Sequence, residues 1–137
     1  MQFSAFAISA SEVVLAASAS GTTRMRLLSA VTALNSDAEI ATGESHACAI
    51  GVTSGTYCWG WNYYGQLGNN STTPRLVPTA VYGNPTFDHI MAGYYHSCGV
   101  VGGAVSCWGQ DDFGQLGDNT TTNGLTPRGI IQMFFKW

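Results

Sequence analysis

One motif occurs twice in this chain. Residues 46–68 run from His46 and Cys48 through Tyr57-Cys58-Trp59-Gly60 to Gly65-Gln66-Leu67-Gly68, and residues 96–117 run from His96 and Cys98 through Ser106-Cys107-Trp108-Gly109 to Gly114-Gln115-Leu116-Gly117. The offset is 50 at the histidines and 49 at the tryptophans and at the closing prolines, Pro78 and Pro127. Self-similarity at a fixed period of this length marks a repeat architecture. Each unit is too small to bury its own apolar face, so neighbouring units must stack.

Each copy reads as four short extended segments. Ile40-Ala41-Thr42-Gly43 matches Ile90-Met91-Ala92-Gly93. Next come His46–Ile50 and His96–Val101, each with strand character. In the second copy Gly102-Gly103 is a two-residue hairpin signal. With that loop, Val101 faces Ala104, Val100 faces Val105 and Cys98 faces Cys107. Opposed positions of this kind lie about 4.5 Å apart at Cα, a spacing a disulfide accepts. A five-residue loop, Gly51 to Gly55, likewise places Cys48 opposite Cys58 in the first copy. After each Cys-Trp-Gly come a turn, Gly-Gln-Leu-Gly and a polar loop (Asn69–Arg75, Asp118–Gly124). Pro78–Tyr82 and Pro127–Ile131 are predicted as the closing strands. Residues 40–89 and 90–137 are thus two blade-like units.

Residues 1–39 do not match the motif. Met25, Leu28, Val31 and Leu34 fall three apart, as on a helix. Alternatively, Glu12–Ser20 and Thr23–Val31 are two strands joined at Gly21-Thr22. The first twenty residues are rich in Ala and Ser, and Ala17-Ser18-Ala19 has the form of a small-residue cleavage site. No Lys or Arg precedes Arg24 and Glu12 interrupts the apolar stretch, so a secretory signal there is poorly formed.

Composition narrows the function classes. Charged residues make up 9% of the 137 and net charge is −3, against roughly 25% charged in soluble domains generally. No basic stripe exists to meet phosphates, so no nucleic-acid partner is expected. No apolar run approaches the ~20 residues that span a bilayer, so no membrane partner is expected either. Seventeen glycines suit many tight turns and short strands.

The motif His-x-Cys, Cys-Trp-Gly, Gly-Gln-Leu-Gly and Pro resembles the regulator of chromosome condensation repeat in its cysteine-containing bacterial or extracellular form, over Ile40 to about Ile131. The resemblance implies an all-β fold of two β-propeller blades with four short antiparallel strands each. It also implies a non-catalytic protein-interaction module. Family propellers usually have seven blades, and a ring typically needs 4–8. Two blades leave edges and half-covered faces. The expectation is a homo-oligomer that completes a ring, unless residues 1–39 supply a partial blade or the chain is a fragment of a longer protein. The apolar tail Met133–Trp137 is expected to be buried against a neighbour.

Each chemical candidate has a plainer alternative. The four cysteines form either a thiolate metal site or two disulfides. Structural zinc favours pairs two to four residues apart, and spacings of nine and eight do not fit. Disulfides imply an oxidising compartment, hence a secreted or extracytoplasmic protein; in a cytosolic one the cysteines are small buried hydrophobes. His46 and His96 are repeat-equivalent, which suggests one local hydrogen bond made twice rather than a metal pair. No metal or cofactor is expected. Trp59 and Trp108 are expected between blades. Trp61, Tyr63 and Tyr64 differ from Gln110, Asp112 and Phe113, and Tyr94 and Tyr95 differ from Glu44 and Ser45. Variation inside a strict repeat marks exposed loop positions, so Trp61, Tyr63, Tyr64, Tyr94 and Tyr95 are the candidate contact surface. The enzymatic alternative is a hydrolase, glycosidase-like or metal-dependent, at a subunit junction, using His46, His96, Glu44, Asp111 and Asp112. Asn69-Asn70-Ser71 and Asn119-Thr120-Thr121 fit the glycosylation sequon.

Overall fold

A computed structural model of the chain describes residues 3–9, 12–19, 22–27, 39–51 and 55–131. The apolar tail, the rest of the Met25–Leu34 stripe beyond Leu27 and the tip of the first hairpin loop, residues 52–54, lie outside the described residues.

Eleven strands are described, and no helix is found among the described residues. The first three form an antiparallel sheet: β1 (Phe3–Ser9), β2 (Glu12–Ala19) and β3 (Thr22–Leu27), with Ala19 paired to Thr22. The two-strand reading of this segment is therefore the one adopted over residues 12–27.

The first repeat forms a four-stranded antiparallel sheet, β4 (Ile40–Thr42), β5 (His46–Gly51), β6 (Gly55–Gly60) and β7 (Arg75–Ala80), in that spatial order. The second repeats it with β8 (His89–Ala92), β9 (His96–Val101), β10 (Ala104–Gly109) and β11 (Gly124–Gly129). The register is the one the turns dictate. Gly102 and Gly103 both have positive φ, 56° and 81°, which a two-residue hairpin of the left-handed type requires. Val101 pairs with Ala104 and Cys98 with Cys107, while Cys48 pairs with Cys58. Both pairs are disulfide-bonded, with Cα atoms 4.1 Å apart in each.

The closing strands begin three residues before the predicted prolines, at Arg75 and Gly124 rather than Pro78 and Pro127. Proline lacks the N–H that a sheet interior needs, but these are edge strands, where that loss is tolerated. Each proline also falls where the pairing register slips, between Cys58 and Gly60 in one sheet and Cys107 and Gly109 in the other. A bulge leaves a residue unpaired, so the missing donor costs little there.

The two blades share one core. Cys48, Ile50, Cys58 and Leu67 of the first pack with Val81, Phe87, Ile90 and Trp108. Phe87 stacks on Trp108 with ring centroids 5.7 Å apart. Its ring lies where a side chain at Gly99 would project, 2.5 Å from the Cβ position, so only glycine fits opposite it. The carboxylate of Glu39 also joins the two units: it accepts the Ile90 N–H at 2.8 Å and pairs with His89 Nδ1 at 3.0 Å.

Candidate functional site

The loop after each Cys-Trp-Gly is built around one short polar side chain. Asn62 Oδ1 accepts the Leu67 N–H at 3.0 Å, and Asp111 Oδ1 accepts the Leu116 N–H at 2.9 Å. The backbone repeats too: Gly65 N–H donates to Asn62 O, and Gly114 N–H to Asp111 O. Gln66 Oε1 then accepts the Tyr64 N–H, as Gln115 Oε1 accepts that of Phe113. These bonds fix the loop independently of what residues 61, 63 and 64 carry, so those positions can vary.

The following blade locks onto this loop. Gln66 O accepts two hydrogen bonds from it, from Ser97 Oγ at 2.9 Å and Trp108 Nε1 at 3.0 Å. Because the Ser97 proton is spent on Gln66 O, its oxygen accepts from His46 Nε2 at 2.8 Å. That assigns the His46 proton to Nε2, with the ring neutral. Burial pushes the His46 imidazole down to about 4; the charge of the neighbouring His96 adds to the effect and a hydrogen bond to the His96 backbone opposes it. His46 is fully buried and its Nδ1 has no partner among the described residues. Burial also lowers the His96 pKa, opposed by Asp111. Trp108 is 0% exposed, the inter-blade place expected of it.

Five aromatics lie on the loops at this junction, four of them in ring contact. Trp61, Tyr63 and Tyr64 stand on the loop after β6; Tyr94 and Tyr95 stand on the loop between β8 and β9. Tyr63 and Tyr64 contact edge to face at 5.3 Å, Tyr64 and Tyr95 lie 5.2 Å apart, and Tyr94 and Tyr95 lie 4.5 Å apart. The series runs unbroken across the blade boundary, tied by Glu44 N–H donating to Tyr94 O. Tyr63 is 67% exposed, Tyr94 61% and Trp61 41%, so this is surface rather than core. A cavity of about 460 Å³ opens here, lined by Glu44, Ser45, Trp61, Tyr63, Tyr64 and Tyr95. Burial raises the Tyr95 phenol pKa, followed by Tyr94 and then the Glu44 charge.

The five hydrolase candidates are not gathered in this way. Of them only Glu44 lines the cavity. His46 is sealed between the blades, and Asp111 is buried with its carboxylate committed to Leu116 N–H and Thr120 Oγ. Asp112 is exposed and accepts from Gln110 Nε2. Cys48 holds no free thiol. No cluster of three or more His, Cys, Asp or Glu fit for a metal exists among the described residues, and no helix there is long and apolar enough to cross a membrane.

Sequence reasoning missed Asn62 as a structural anchor and Ser97 as the partner of His46. The first had a signal: Asn62 and Asp111 are repeat-equivalent, short and polar. The second had none, because the partner lies 51 residues away in the next unit.

Residues 55–100 match the family model of the regulator of chromosome condensation (RCC1) repeat. The chain is 35% identical over 63 residues to the ultraviolet-B receptor UVR8 of Arabidopsis thaliana, covering 44% of this chain and 14% of that receptor. Its fold is similar to that of Prp20p of Saccharomyces cerevisiae, reported with binding properties to Gsp1p and histones, with a TM-score of 0.69, 19% identity, 88% of this chain and 34% of that one. It is similar also to human WBSCR16, with a TM-score of 0.68, 15% identity, 90% of this chain and 36% of that one. The chain thus spans about a third of the solved propellers and a smaller part of the receptor. The fold is all-β, of propeller blades.

Proposed function

We propose that this chain, a member of the regulator of chromosome condensation repeat family, works as a non-catalytic protein-binding propeller module. Its contact surface is the aromatic series Trp61, Tyr63, Tyr64, Tyr94 and Tyr95. The observation that carries the reading is that series itself: Tyr63, Tyr64, Tyr95 and Tyr94 from two blades touch in sequence, with Trp61 lining the same cavity, at positions where an otherwise strict repeat departs from itself. Rigid aromatics of this kind dominate protein contacts. The binding of Prp20p to Gsp1p and histones, and of Kap60 to yeast RCC1 (Prp20), supports protein partners for such a fold. Nothing favours the hydrolase.

We further infer that the module completes a ring with a second copy, residues 1–39, 40–89 and 90–137 acting as successive units. The support is an asymmetry: Gly65 and Gly68 are covered by the next blade, whereas Gly114, Gly117 and Asn119 line an open cleft of about 700 Å³. Two disulfides fit an oxidising compartment, and a secreted or extracytoplasmic site is part of the proposal.

The test is a double variant, Tyr63→Ala with Tyr94→Ala, compared with the unaltered chain in photo-crosslinking from position 61. Protein adducts lost in the variant, with both disulfides retained, are expected. Adducts unchanged by the substitutions overturn the surface. Light scattering tests the ring, and a stable compact 14.5 kDa species at micromolar concentration overturns it.

A further inference from the structure

We infer that the tyrosine cavity is a receptor for an arginine side chain in a basic segment of the protein partner. This deepens the interaction reading above and rests on it.

The lining of the cavity has one sign. Trp61, Tyr63, Tyr64 and Tyr95 supply aromatic rings, whose faces are electron-rich, and Glu44 supplies a carboxylate; no cation is among the lining residues. A ring face within about 6 Å attracts a cation, and arginine stacks there better than lysine because its guanidinium is planar. A carboxylate at the edge of such a cavity then meets the guanidinium N–H groups.

A second feature points independently to a ligand with hydrogen-bonding groups. Ser45 is 8% exposed, and its Oγ is buried with no hydrogen-bond partner among the described residues. It lines the same cavity. A buried hydroxyl without a partner is costly, and a guanidinium N–H entering the cavity supplies one.

Charge complementarity extends beyond the cavity. Between Glu39 and Ile131 the chain has six carboxylates but only Arg75 and Arg128 as permanent cations. Arg128 is already held by Asp118 Oδ2 at 3.0 Å. Asp118 is spent in that same pair, Asp111 is buried and Glu39 pairs with His89, which leaves Glu44, Asp88 and Asp112 exposed against Arg75, a small negative excess that disfavours an anionic partner and favours a basic peptide. A saccharide also stacks on aromatic rings and its hydroxyls can donate to the carboxylate, but it carries no positive charge to offset Glu44 or to meet the electron-rich ring faces.

The test is calorimetric titration of the full chain with a capped tetra-arginine peptide and with its tetra-citrulline counterpart, neutral but of the same shape. The arginine peptide is expected to bind at least tenfold tighter, and Glu44→Gln to weaken it at least threefold. Tyr64→Ala is expected to weaken it about tenfold. Equal affinity of the two peptides overturns the inference, as does indifference to Glu44→Gln. Binding of an N-acetylglucosamine trimer in place of the arginine peptide also overturns it. Glu44 is exposed, and an unchanged thermal midpoint of Glu44→Gln is the control that its effect on binding is not an effect on folding. Loss of crosslinked partners in the Tyr63/Tyr94 double variant, alongside equal peptide affinities, sinks the arginine receptor and leaves the interaction surface standing.

Discussion

The two blades have nearly the same parts, but those parts are under different load. In blade 1, the Gly-Gln-Leu-Gly turn is a seat. A side chain on Gly65 would meet Leu125 at 2.6 Å, one on Gly68 would meet the Trp108 indole at 2.6 Å, and the Asn70 N–H donates to Leu125 O. In blade 2 the same turn has no such tenant among the described residues. Gly114 has nothing nearer than 3.8 Å, and Gly117 meets only Ile130, at 3.5 Å. Both turns keep the same internal bonds and the same positive φ at their glycines. The repeat therefore encodes the seat whether or not it is filled. Local hydrogen bonding shapes the turn, and the neighbour only uses it.

The largest effect is expected where reciprocal substitutions at one repeat position have unequal consequences in the two copies. The two N–H groups of Asn62 Nδ2 face three oxygens, Asn69 Oδ1, Ser71 O and Thr73 O. Asn62→Asp sets a buried carboxylate against all three and should cost about 4 kcal/mol or more. Asp111→Asn keeps an acceptor for Leu116 N–H and should cost only about 1 kcal/mol. Urea denaturation of both variants checks this, and equal losses break the comparison.

Next is the seat itself. Gly68→Ala meets both a left-handed backbone and the Trp108 ring, and should cost about 3 kcal/mol. Gly117→Ala meets the backbone term alone, about 1 kcal/mol. If both cost about 3, blade 2's seat is filled as well, which would itself indicate a neighbouring copy.

The histidines sharpen the contrast by pH. The folded pKa of His46, about 4, lies below the ordinary ~6.5 of the unfolded chain. The folded state therefore binds fewer protons, and stability falls as pH drops from about 6.5 toward 4 and is flat above. The full loss is about 3 kcal/mol. Denaturation midpoints across that range should flatten in His46→Gln much more than in His96→Gln.

The disulfides should differ least. Sequence separations of 10 and 9 give nearly equal chain-entropy contributions, about 2–3 kcal/mol each. Replacing Cys48 and Cys58 by alanine should cost somewhat more than replacing Cys98 and Cys107, because both members of the first pair are 0% exposed while Cys98 is half-buried. Thermal unfolding of the two double variants measures the difference.

Hairpin register and loop positions inside one repeat were legible in the sequence. Gly102-Gly103 set a register that carried Cys98 to Cys107, and comparing the copies singled out Tyr63, Tyr64, Tyr94 and Tyr95 as loop residues. The strand starts at Arg75 and Gly124 were not legible, because proline reads as a boundary unless the bulge opposite it is known. Asp111 reads as chemistry in isolation; only its match with Asn62 reveals an anchor. The union of His46 with Ser97 depends on how two wedges pack, which no single repeat contains.

Gln66 O, which receives both Ser97 and Trp108, is a main-chain atom, and no codon can delete it. A substitution at position 66 leaves the acceptor atom in place and removes only the side-chain bond to the Tyr64 N–H that helps aim it. The indole and the hydroxyl are then the side chains whose loss leaves this acceptor unused, while Gly65 and Gly68 keep the space in which the next blade docks.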